Sequence, residues 1–184
     1  MTAAPAAPAL PLALMTAAIE VRNSVSIDLG AMLVWGFVAT MALTSLSAAG
    51  QGLHLSRMSM PFLLGTIVSG RRDRARWLGG VLHFVAGWLF AVPYVAVFEA
   101  VGAATWWGGA ALGLLQAASI LTVVMPLLPA IHPRMADADQ GPDPTRRLEP
   151  PGFLALNYGH ETPLVVMVAH IVYGAILGAF YPVG

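Results

Sequence analysis

The sequence predicts an all-α polytopic membrane protein, with four transmembrane helices arranged as two parallel two-helix repeats. Three observations predict it. Of 184 residues, 58% are hydrophobic and only 10% charged, with mean hydropathy +0.74; soluble domains carry about 25% charged residues. Four apolar runs are each about long enough to cross a ~30 Å hydrocarbon core. The third observation is a spacing that occurs twice. His83, Gly87 and Tyr94 lie in one apolar run, and His170, Gly174 and Tyr181 lie in another. Steps of four and eleven residues at about 100° each return to nearly the same side of a helix. Each triplet is therefore a stripe on one helix, with the glycine leaving a notch beside the imidazole.

Composition also excludes. Net charge is zero, so nothing points to nucleic acid as a partner. There is no Cys, which removes disulfides, thiolate metal sites and thiol catalysis. No nucleophile–base pair, P-loop or dinucleotide fingerprint is present. An enzyme with its own soluble active site is not expected.

In chain order, residues 1–28 form an Ala/Pro-rich arm. Its apolar stretch, Ala9 to Ala18, is short and follows no positive residue, a poor signal peptide. Ser26 or Asp28 is expected to cap the first span, Gly30 to Gly50. Thr40, Thr44 and Ser47 share one face of that span, as small polar residues do where helices pack. Gln51 to Arg76 holds His54, Arg57, a short apolar segment from Met60 to Val68, and the cluster Arg71, Arg72, Asp73, Arg74 and Arg76. Nine apolar residues cannot cross, so this segment is read as interfacial or re-entrant.

Trp77 to Phe98 is the second span, with Pro93 expected to kink it. A tight polar break, Glu99 to Thr105, precedes Trp106 and Trp107, placed as an interfacial aromatic belt. Gly108 to Ile131 is the third span. Gly109 and Gly113 make a small-xxx-small face that Gln116 continues, and Pro126 and Pro129 disturb its end. His132 to Pro163 is the longest polar loop, and Ala136 to Glu149 has the composition of a mobile segment. PGFLALNYG, Pro151 to Gly159, is apolar and read as interfacial. Thr162 as N-cap and Pro163 at the first helical position open the fourth span, Leu164 to Tyr181.

Arginine counts set the orientation. The first long loop holds five Arg and the second three, against none in the central break or at the C-terminus. The positive-inside rule places both long loops in the cytoplasm and both termini outside, with Arg22 in the arm opposing weakly.

The halves match beyond the triplets. His54–Arg57–Met58 follows the first span, and His132–Arg134–Met135 follows the third. Repeat 1 covers about 30–98 and repeat 2 about 107–182. Two spans per half is an even number, so the repeats run parallel about an axis along the membrane normal. That axis would set His83 and His170 opposite each other, roughly 10 Å deep at the standard helical rise.

Ionisable groups inside a membrane mark candidate functional sites. One reading is a haem b with His83 and His170 as axial ligands. Gly87 and Gly174 would then make room for the macrocycle, and Arg57 and Arg134 would pair with its propionates. This describes an electron-transfer or accessory subunit. A second reading is a divalent metal at the same pair, joined by His132, His160 and Glu161. No HxxxH or ExxH spacing supports it. A third is a transporter or channel whose path is lined by Thr40, Thr44, Gln116 and the histidines. Against all three stands a structural role, each imidazole bonding a neighbour and locking the helices, as in a subunit of a larger complex. Tyr94 and Tyr181 are read as interfacial tyrosines, Glu161 as a first-turn acid, and His54 and His132 as surface corners.

PGFLALNYG and HIVYGAILGAFY, with RMSMPFLLGT earlier, resemble a family of small bacterial four-span membrane proteins described as uncharacterised. The resemblance covers most of residues 30–182. It implies the four-span fold and a bacterial inner membrane, and it brings no activity, ligand or catalytic residue. Beyond the lipid bilayer, the Gly/Ala-rich helix faces suit other membrane subunits or a homo-oligomer.

Overall fold

The structure is a computed structural model that describes residues 27–137 and 141–184. Most of the N-terminal arm, including Ser26 and Arg22, lies outside the described residues. Among the described residues six α-helices follow one another: α1 (Leu29–Gly52), α2 (Met60–Val68), α3 (Arg72–Val101), α4 (Trp106–Ser119), α5 (Met125–Ile131) and α6 (Thr162–Phe180). A π-helical turn, Ile120–Val124, joins α4 to α5, and a short helical segment, Phe153–Tyr158, precedes α6. Among the described residues, α1, α3, the continuous α4–α5 rod and α6 are long and apolar enough to cross a membrane. The protein is an all-α polytopic membrane protein.

The Asp28 carboxylate accepts from the Ala31 amide at 2.9 Å and caps α1. The second span begins earlier than expected, because Arg72 to Arg76 is already helical. Arg is a good helix former, so charge set the limit of the apolar run without ending the helix. Glu99 belongs to α3, not to a polar break, and the chain turns at Gly102 in a left-handed conformation. The π-turn lies just ahead of Pro126. A proline ring clashes with the carbonyl four residues earlier, and a wider turn there gives that carbonyl room. Glu161, not Thr162, occupies the N-cap of α6, and no side chain caps it. The buried Thr162 hydroxyl instead bonds Ser56 at 2.9 Å.

The spans alternate in direction. Asp28 before α1 and Glu99 at the end of α3 share the Tyr181 hydroxyl, so α1 and α3 are antiparallel, and Leu33, Gly36 and Thr40 meet Trp88, Ala91 and Gly87 between them. α6 packs against both α4 and α1. The α4–α6 contact is backbone on backbone: a Cβ at Gly109 would overlap the Gly174 carbonyl, one at Gly113 the His170 carbonyl, and one at Gly178 the Thr105 carbonyl. The predicted small-residue face is thus where two helices touch. The nine-residue α2 does not span. It lies on the start of α3 through a second close approach, Gly65 against the Ala75 carbonyl and Gly79 against the Pro61 carbonyl.

Both long loops meet at one end of the bundle, where each half holds the other. Arg57 donates to Glu149 at 3.1 Å and to the Asn157 carbonyl at 2.5 Å, and its amide bonds the Tyr158 carbonyl. Arg134 donates to the Thr66 carbonyl, and to that of Ile67 at 3.0 Å, the last carbonyls of α2. A cation at a helix C-terminus meets unbonded carbonyls and the negative end of the dipole. Each corner arginine therefore grips the short helical segment of the opposite half. The opposite end is closed by the Tyr181 hydroxyl, which donates to buried Glu99 at 2.8 Å and accepts from the Asp28 amide at 3.0 Å.

Candidate functional site

α3 and α6 run parallel, and their polar stripes converge on one cavity. Gly87, on α3, is four residues from His83, and the Tyr173 hydroxyl of α6 donates to its carbonyl at 2.6 Å. Tyr94 stacks edge-on against Tyr173, their ring centroids 5.5 Å apart. This registration brings His83 and His170 to a shared cavity of about 180 Å³, lined also by Thr40, Ser47, Gln116 and Tyr173.

The hydrogen-bond geometry fixes what each group offers. His170 Nδ1 lies 2.8 Å from the Val166 carbonyl. A carbonyl only accepts, so Nδ1 carries the proton and Nε2 presents a lone pair. His83 is buried, and no described residue hydrogen-bonds its ring. The Tyr94 hydroxyl donates to Gln116 Oε1 at 2.6 Å, which leaves the amide NH₂ as a donor. The Thr40 and Ser47 hydroxyls donate back to the Gly36 and Leu43 carbonyls and keep lone pairs for another donor. The site thus offers both donors and acceptors within mostly apolar walls. No family model, no curated protein and no solved structure matches this chain.

The remaining expected site residues lie elsewhere. Gly174 leaves no notch, because the Gly109 backbone and the Tyr94 ring fill the space beside it. Gly87 lines the cavity, although the Thr40 side chain occupies the place of a Cβ. Neither Arg57 nor Arg134 is among the lining residues, and both guanidinium groups are engaged in the straps between the halves. His132 is not a surface corner but 2% exposed. Its Nδ1 accepts from the Arg134 amide at 3.1 Å, so Nε2 carries the proton and donates to the Leu63 carbonyl at 3.1 Å. Neither nitrogen is left for a metal. His160 and Glu161 are exposed. No three metal-ligating side chains gather among the described residues, so the five-residue set expected for a divalent ion does not assemble. His54 is exposed, as expected, with φ +61°.

Tyr94 and Tyr181 are buried and hydrogen-bonded, where sequence reading placed them at the interface. Tyr173 was missed, and Glu99 was read only as the start of a polar break. Tyr173 lies three residues beyond His170, one helical turn along, and that spacing was a signal. Near the long loops, Tyr158 donates to the Glu149 carbonyl at 2.6 Å, and burial, with Glu149 beside it, pushes its hydroxyl up to about 12. In the same segment Leu154 and Ala155 have left-handed backbone, with φ +54° and +58°.

As it stands, the cavity is too small for a haem macrocycle. Its volume lies below the ~300 Å³ at which ligand pockets of drug size begin. The Gly174 side is closed by backbone, and no cation lines the cavity for a propionate.

Proposed function

We propose that this is a small transport protein of the bacterial inner membrane that passes protons by way of His83 and His170. The observation that carries the reading is that Thr40, Gln116 and both histidines line one cavity. Its volume corresponds to about six waters at their share of liquid volume. Met58 and Met60 reach the cavity from the corner beside the long loops. Beyond it, toward the termini, Tyr94, Phe98, Tyr173 and Tyr181 form a buried aromatic layer. Such a half-path admits water from one side and needs a rearrangement to reach the other. The arginine count places the open side in the cytoplasm. In this scheme water delivers a proton to the Nε2 lone pair of His170 or to the unpartnered ring of His83. The Thr40 and Ser47 lone pairs and the Gln116 amide order the water between them.

The test is proton flux into liposomes containing the purified chain and a trapped pH-sensitive dye, under an imposed potential. Flux above that of empty liposomes, abolished in His83→Ala and in His170→Ala while both variants keep the wild-type melting profile, supports the proposal. Flux equal to that of empty liposomes overturns it.

A second reading rests on one observation. The His170 tautomer, with Nδ1 on a backbone carbonyl, is the one that ligating histidines adopt. A Soret band in the purified protein, lost in His170→Ala, would favour haem ligation and an electron-transfer subunit. A helix rearrangement opening the Gly174 side would then be required.

A further inference from the structure

A larger cavity lies apart from the histidine site. It is a groove of about 630 Å³ at the long-loop end, lined by α2, the start of α3, Pro133 and Arg134, and Pro144 to Leu148. Three arginines line it: Arg72, Arg134 and Arg147. Arg134 donates to the α2 carbonyls and frames the groove. Arg72 and Arg147 are exposed, and neither has a hydrogen bond or ion pair among the described residues.

The described acids nearby are engaged elsewhere. Asp137 pairs with Arg146 at 2.8 Å, and Glu149 with Arg57 at 3.1 Å. Asp143 Oδ1 accepts from the Thr145 hydroxyl and from the Thr145 and Arg146 amides. The hydroxyl of Thr145 leads these in holding the Asp143 carboxyl below its ordinary range, which keeps that acid as a turn former. Asp73, in the first turn of α3, does not line the groove. A second groove of about 350 Å³ shares Arg72 and adds Arg57 and Arg76, so the positive field extends along the same rim.

We propose that the Arg72–Arg134–Arg147 groove binds the phosphate of an anionic phospholipid headgroup. Guanidinium forks match phosphate oxygens in pairs, and basic pockets at the ends of transmembrane helices take lipid headgroups. The position favours lipid over a free anion. One wall is α2, a helix too short to cross, and its Phe62, together with Leu148, adds apolar lining to the arginines. A headgroup attached to its acyl chains uses both the cationic and the apolar lining, whereas inorganic phosphate uses only the first.

The experiment is thermal melting of the full chain in neutral detergent with added phosphatidylglycerol, phosphatidylcholine or inorganic phosphate. Phosphatidylglycerol at about a hundred-fold excess over its dissociation constant is expected to raise the midpoint by roughly 5–10 °C over phosphatidylcholine. Most of that shift is expected to vanish in Arg72→Gln/Arg147→Gln. It is expected to persist in Arg71→Gln/Arg74→Gln, which removes the same charge from residues outside both grooves. Equal shifts in the two double variants would overturn the site, reducing it to a diffuse surface charge. An equal shift from inorganic phosphate would overturn the lipid assignment in favour of a free anion. Among the described residues Arg72 and Arg147 hold no partner, so the double variant is expected to fold and to melt cooperatively without added lipid. Native mass spectrometry of the same samples provides a second readout, in which wild type retains phosphatidylglycerol and the groove variant does not.

Discussion

Gly174 shows how much one absent side chain decides. A Cβ there would overlap the Gly109 carbonyl and press on the Tyr94 ring, so α4 and α6 touch only because both positions are glycine. Helix association in lipid lacks a hydrophobic drive and rests on such close packing. Gly174→Ala is expected to destabilise the protein by about 1–3 kcal/mol, the ordinary cost of overpacking. Its melting midpoint in detergent should fall, while Gly80→Ala, where a Cβ meets nothing within 4 Å, should melt like wild type or slightly above. The same residue shows what sequence reading can and cannot reach. The His–Gly–Tyr spacing placed His83 and His170 on a common cavity. It could not tell a glycine that opens space from one that lets another backbone in. Both occupy the same stripe, and only the neighbour's position distinguishes them.

Among the elements, α2 is the one whose role was least visible. Its nine apolar residues ruled out a span, and nothing in them told which surface it lies on. Gly65 and Gly79 seat it on α3, His132 bonds its Leu63 carbonyl, and Arg134 bonds its last carbonyls. Three long-range partners therefore hold a helix too short to be stable alone. Arg134→Gln removes the charged donor, and hydrogen bonds to charged groups contribute about 1.5–3 kcal/mol. Amide exchange at Ser69, whose N–H closes the last turn of α2 on Gly65, is expected to accelerate at least about tenfold in that variant. An unchanged rate would mean that the glycine contact alone holds α2. The long spans were legible because hydropathy announces them. Their ends were not, since Arg72 to Arg76 is polar yet helical, and the π-turn before Pro126 leaves no mark in composition.

For the whole molecule, the repeat predicted the element order and the shared position of the histidines. It did not predict how unequally the halves pack. α4 and α6 meet backbone to backbone, while α1 and α3 meet through Thr40, Trp88 and their neighbours. Burial and cross-half bonding could not be read from either half alone, which is why Tyr94, Tyr181, Glu99 and His132 changed from surface to interior. The reciprocal arginine grips have one more consequence. The covalent link between the halves, residues 102–105, lies at the far end from Arg57 and Arg134, and its Gly102 has open space around it. Chain continuity there is not what keeps the halves together. Two separate polypeptides, 1–103 and 104–184, both begin on the same side of the bilayer as the intact chain does. Co-expressed, they are expected to find each other and purify as a one-to-one complex through a tag on either piece. With Arg57→Gln and Arg134→Gln together, the recovered complex should be less stable and its yield lower, while the packing of α6 on α1 and the Tyr181 bonds still join the pieces.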